Sequence, residues 1–100
     1  NSNYSESKKK EADAIYKKGK KAIATGFLKW SADHLSASLH FEQAAKMYRE
    51  IGNDVMAKEC FIKYAQSSEK TDVLSCAADG YTQAAFLEDN FEKSEALLKQ

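Results

Sequence analysis

The chain has no proline and only four glycines in 100 residues, while alanine is abundant. Nothing beyond the first few residues can therefore be a Pro-rich linker, and the composition is that of a helical domain. No apolar run approaches the ~20 residues that span a bilayer. The N-terminus carries charge but no apolar signal core, which excludes a secretory signal. Cysteine and histidine are scarce. Cys60 and Cys76 lie sixteen residues apart without further ligands, and His34 and His40 are six apart, off a common helix face. No zinc site follows, and the two thiols read as buried structural groups in a reducing, cytoplasmic setting. There is no glycine-rich phosphate loop, no Ser-His-Asp set and no carboxylate cluster with His, so no catalysis and no cofactor are expected.

One sign of charge is missing only locally. Basic and acidic residues balance at 15 each, and the chain as a whole does not attract nucleic acid. Residues 1–30, however, hold Lys8, Lys9, Lys10, Lys17, Lys18, Lys20, Lys21 and Lys29 against Glu6, Glu11 and Asp13, a net charge of +5, and the remainder carries −5. The asymmetry suits either a Lys-rich solvated helix face or a local anionic partner.

Apolar residues recur at steps of three and four in five segments. The polar residues 1–7 are expected as a disordered tail, and residues 8–100 as the N-terminal TPR-like segment of a longer solenoid. The first helix, residues 7–24, turns Ala12, Ile15, Tyr16, Gly19, Ala22 and Ile23 inward. The second starts near Asp33, capped by Ser31 or Asp33, with Ala37, Phe41, Ala44, Ala45, Tyr48 and Ile51 inward and Gly52 at its C-cap. Asn53 or Asp54 caps a third with Ala57, Cys60, Phe61, Tyr64 and Ala65. Thr71 or Asp72 caps a fourth with Leu74, Ala77, Ala78, Tyr81, Ala84 and Ala85. Gly80 inside it costs about 1 kcal/mol against Ala, which a close helix neighbour would explain. Asp89-Asn90 is expected to turn into a fifth helix with Phe91, Ser94, Leu97 and Leu98 inward, and Gln100 falls in mid-helix.

Phe41-Glu42-Gln43-Ala44-Ala45 recurs forty residues later as Tyr81-Thr82-Gln83-Ala84-Ala85, and Ala57, Cys60 and Phe61 correspond to Ser94, Leu97 and Leu98. A hairpin unit of about 37–40 residues indicates an all-α, TPR-like α-α solenoid of antiparallel helical hairpins, about five helices in all. The paired alanines let helices approach closely, and the aromatic before them fills the groove alongside.

Thr25-Gly26-Phe27-Leu28-Lys29-Trp30-Ser31 breaks the core pattern by placing three large apolar side chains, including the one Trp, in an inter-helix loop. Such residues either tuck back onto the first helix or meet something outside. Trp suits the headgroup region of a bilayer, and the neighbouring lysines each contribute about 1 kcal/mol at an anionic leaflet.

Residues 25–30 resemble the first inter-helix loop in the gamma branch of the soluble NSF attachment protein (SNAP) family. The resemblance continues through Ala37-Ser38, Phe41, Ala44-Ala45, Tyr48 and Ala57-Lys58-Glu59, with helical phase and loop lengths in agreement from about Lys10 to Gln100. Ser31-Ala32 stand where the family pattern has Lys-Pro. The resemblance implies the N-terminal portion of a cytoplasmic, peripherally membrane-associated adaptor in vesicle-mediated and intracellular protein transport, not an enzyme. Such adaptors coat the SNARE complex (syntaxin-type) left after membrane fusion and recruit the NSF ATPase through C-terminal helices that this chain lacks. Phe27, Leu28, Lys29 and Trp30 would then be the membrane-contact loop and Lys17, Lys18, Lys20 and Lys21 its basic surround. Lys46, Arg49 and Lys58 would face the SNARE bundle, while Gly52 falls where alpha members carry Lys. The alternative is a generic TPR-like protein–protein interaction module with no membrane role.

Overall fold

The computed structural model describes residues 2–24 and 32–98. These form α1 (Ser2–Ile23), α2 (His34–Glu50), α3 (Asp54–Lys70) and α4 (Leu74–Leu98), with no strand among the described residues. Each helix packs on its neighbour in the chain. The architecture is the expected all-α stack of helical hairpins, with four helices in place of five.

Two of the connections are built alike. α2 ends at Gly52, whose φ of +80° suits a residue without Cβ. Gly52 N–H donates to the Arg49 carbonyl and Asn53 N–H to the Tyr48 carbonyl, which closes the helix end. Asn53 then caps α3, its side chain accepting from Met56 N–H at 3.2 Å. α3 ends in the same pair of bonds, Asp72 N–H to Glu69 and Val73 N–H to Ser68, with Asp72 at φ +59°. Here the sequence expectation is corrected. Neither Thr71 nor Asp72 caps α4, because both are used in stopping α3. Val73 occupies the capping position, and its carbonyl receives Ala77 N–H. The other expected caps are found at Asp33, which accepts from Ser36 N–H, and Asn53; Ser31 lies outside the described residues.

α4 is the main departure. It runs through Asp89-Asn90 without a turn. Asp and Asn cost only a few tenths of a kcal/mol inside a helix, and no Gly supplies the left-handed residue that stops α2. Lys93 bridges back to Asp89 at 3.1 Å, a pairing that helical spacing favours. Phe91, Ser94, Leu97 and Leu98, expected inward on a fifth helix, are therefore exposed on the end of the fourth. The correspondence of Ala57, Cys60 and Phe61 with Ser94, Leu97 and Leu98 is not realised as a second hairpin arm. α1 also departs from expectation by starting at Ser2, so that residues 2–7, expected as a tail, extend the helix. Tyr4 ties that end to α2 through a 2.6 Å hydrogen bond to Glu50.

The core follows the expected stripes in α1, α2 and α3. Ala12, Ile15, Phe41, Ala44, Ala45, Tyr48, Ala57, Cys60, Phe61, Tyr64 and Ala65 are all buried. In α4 the stripe divides. Ala77, Gly80, Ala84 and Leu87 are buried, whereas Leu74, Ala78, Tyr81 and Ala85 stay exposed. α2 has a helix on both flanks and buries both alanines of its pair; α4 packs on α3 and buries one.

Two glycines set the spacing. A Cβ on Gly19 would stand 2.7 Å from the buried Phe41 ring. A Cβ on Gly80 would stand 2.7 Å from the Phe61 carbonyl oxygen and 2.9 Å from the Ala65 Cβ. Gly80→Ala gains about 1 kcal/mol of helix propensity, yet it must move a backbone, which costs more. The variant should lose about 1–2 kcal/mol net, a Tm lower by several degrees in a thermal melt. A raised Tm would contradict the close approach of α3 and α4.

Candidate functional site

α1 has a core face and a basic face. Ala12, Ile15, Gly19 and Ala22 face inward, and Lys10, Lys17 and Lys21 line the opposite side at helical spacing, flanked by Lys18 and Lys20. All five lysines are exposed. The Lys20 ammonium lies 4.7 Å from the centre of the Tyr16 ring, and Lys9 is held by Asp13 at 3.0 Å. The expected membrane-contact residues Phe27, Leu28, Lys29 and Trp30 lie outside the described residues. The flanks of that segment are drawn together, since Asp33 N–H donates to the Ala22 carbonyl at 2.7 Å. Ala22 and Asp33 thus meet at the end of the bundle where the basic face of α1 finishes.

Lys46, Arg49 and Lys58 do not form an open basic patch. Lys46 pairs with Glu42 one turn away at 3.4 Å. Arg49 donates to the Gln83 side chain at 2.7 Å and stacks over the Phe61 ring. Lys58 binds Glu88 at 2.6 Å. The last two contacts fasten α4 to α2 and α3, so a partner that engages these cations must compete with internal bonds. Surface pairs of this kind are worth at most about 1 kcal/mol each.

Sequence reasoning missed a set of tyrosine clasps. Tyr4 donates to Glu50, Tyr48 to Asp13, Tyr16 to Glu59 and Tyr81 to Glu69, each joining two helices. Burial, then the carboxylate partner, pushes the Tyr16 and Tyr48 hydroxyls well above the usual range. The Tyr48 hydroxyl in turn holds the Asp13 carboxyl below its ordinary value, aided by Lys9. The tyrosines and carboxylates are plain in the sequence, but their pairing depends on the register between helices.

A groove of about 610 Å³ opens where all four helices meet, lined among others by Ile23, His34, Phe41, Lys63, Lys70 and Tyr81. Cys60 is fully buried, and burial pushes its thiol up to about 12, which makes it inert near neutral pH. Cys76 is half-buried, and neither cysteine is in a disulfide. Among the described residues no three His, Cys, Asp or Glu side chains converge on a metal position, and no helix is long and apolar enough to cross a membrane.

Fold and surface together define a TPR-like helical scaffold that presents a basic helix face and charged inter-helix seams. Among proteins of known identity, the chain is 30% identical over 88 residues to the gamma-soluble NSF attachment protein of Dictyostelium discoideum. The match covers 88% of this chain and 27% of that protein, so the chain spans about a quarter of its relative's length. No family model and no solved structure matches.

The Asp13–Tyr48 clasp gives a pH test. A carboxyl whose folded pKa is depressed stabilises the fold above its unfolded pKa of about 4, and that contribution disappears as pH falls through the folded value. Tyr48→Phe should cost about 1 kcal/mol at pH 7, and its gap from the parent chain in thermal melts should narrow as pH falls below about 4. A gap that stays constant over that range would show that Asp13 is not the partner.

Proposed function

We propose that this chain is the N-terminal part of a SNAP-type adaptor, which binds SNARE complexes at a membrane and recruits the NSF ATPase through segments beyond this chain. The carrying observation is the similarity to a gamma-soluble NSF attachment protein over 88 residues, spread across a stack of hairpins rather than confined to one motif. In this reading the protein is a scaffold and not an enzyme. It is cytoplasmic and attaches to membranes peripherally.

The basic face of α1 supports the membrane part. Lys17, Lys18, Lys20 and Lys21 stand in its last two turns, directly before the segment that carries Phe27, Leu28, Lys29 and Trp30. Cations near an anionic leaflet and an aromatic wedge in the headgroup region give weak, reversible attachment. Weak attachment becomes useful once a second contact, to the SNARE bundle, holds the adaptor near the same bilayer. Lys46, Arg49 and Lys58 lie on α2 and α3, where exchange of their present partners for acidic SNARE side chains would be nearly neutral in energy.

Trp30 reports on this directly. Its emission should shift to the blue on vesicles containing phosphatidylserine at low salt, and Phe27→Ser with Leu28→Ser should abolish the shift. No shift at low salt would contradict the membrane part. For the adaptor part, an assembled four-helix SNARE bundle on beads should retain the chain and a single SNARE helix should not; equal retention would contradict it.

A further inference from the structure

The groove where the four helices meet has no part in the adaptor reading, and two of the groups in its wall lack partners. His34 stands in the first turn of α2 with its ring half-buried. Its Nδ1 atom is shut off from solvent and has no hydrogen-bond partner among the described residues. A sealed ring nitrogen without a partner costs stability, and an apolar side chain at this position would avoid that cost. Lys63 on α3 is also half-buried, and no salt bridge answers its ammonium group among the described residues. Lys70, in the last turn of the same helix, adds a second cation. The neighbouring carboxylates are engaged. Glu59, one turn before Lys63, accepts the Tyr16 hydroxyl, Glu69 accepts the Tyr81 hydroxyl, and Asp33 accepts Ser36 N–H. Of these only Glu69 lines the groove, so two ammonium groups face one carboxylate there.

The rest of the lining offers two further kinds of contact. Ile23 and the rings of Phe41 and Tyr81 are apolar, while Gln66 and Ser67 bring an amide and a hydroxyl. The volume of about 610 Å³ suits a ligand of a few residues. Three ligand types can be compared with this lining. A lipid chain meets the apolar side chains but leaves the cations, the amide and the hydroxyl without partners. A bare phosphate meets the cations and leaves the rings unused. A short acidic peptide meets all of them: carboxylates for the two lysines, peptide groups for His34, Gln66 and Ser67, and aliphatic side chains for the rings.

We propose that this groove binds a short acidic peptide segment, with its carboxylates on Lys63 and Lys70 and a peptide group on His34 Nδ1. The binding site is separate from the basic face of α1, and the inference rests on neither the adaptor reading nor the membrane reading. It gives the unpartnered His34 nitrogen and the unpaired Lys63 charge a use that helix packing alone does not.

The test is an NMR titration of the 100-residue chain with an acetylated, amidated tetrapeptide of alternating aspartate and leucine. Saturable shifts are expected at His34, Lys63, Gln66 and Tyr81 at submillimolar peptide. The same peptide with asparagine in place of aspartate should leave these signals unmoved, as should inorganic phosphate at the same concentration. His34→Leu should melt a few degrees higher than the parent chain and yet weaken the peptide about fivefold, a combination that a purely structural histidine does not give. Lys63→Met keeps the aliphatic stem and removes the charge; it should weaken the peptide about tenfold with the melt unchanged. Lys46→Met removes the same charge outside the groove and should bind as the parent chain does. Absence of binding, equal binding of the asparagine peptide, or binding that Lys63→Met leaves intact would overturn the proposal. Phosphate moving the same signals as strongly as the peptide would overturn the assignment of a peptide. Should His34→Leu fold poorly, Lys63→Met and its Lys46→Met control decide the matter alone.

Discussion

Close approach between helices governs this structure. Gly19 lies against the Phe41 ring and Gly80 against the Phe61 backbone, each leaving no space for a further carbon. The alanines at 44, 45, 57, 65, 77 and 84 continue the same seams. Small residues on one helix receive aromatic rings from the next, and Tyr48, Phe41 and Phe61 are the largest fully buried side chains. The tyrosine clasps become possible once the seams are tight, because a hydroxyl on one helix then reaches a carboxylate on its neighbour. Spacing set by glycine and alanine thus comes before both packing and polar register.

That order explains what the sequence disclosed. Helix phase in α1, α2 and α3 was legible because the buried positions are apolar or small at steps of three and four, and Gly52 and Asn53 mark a connection whose chemistry is unambiguous. The connection at 71–73 was read in the wrong register. Asp72 looks like a cap but takes a left-handed conformation that usually belongs to glycine, and Val73 gives no local sign of starting a helix. The continuation of α4 through Asp89-Asn90 was missed because polar residues in a helix resemble a turn when no partner is known. Exposed apolar residues beyond that point look like the core stripe of another helix until the packing is seen.

The candidate surface was legible as composition more than as geometry. Eight lysines in the first thirty residues pointed to α1, and its face is basic as expected. The individual cations of α2 and α3 were not legible in the same sense, since Glu42, Gln83 and Glu88 hold them in ways that only tertiary register reveals.

Amide hydrogen exchange with and without phosphatidylserine vesicles tests the membrane attachment most directly. Slower exchange on vesicles is expected in the last turns of α1 and the region joining α1 to α2, with residues 51–55 unchanged. Protection centred on residues 51–55, or spread evenly over all four helices, would contradict it.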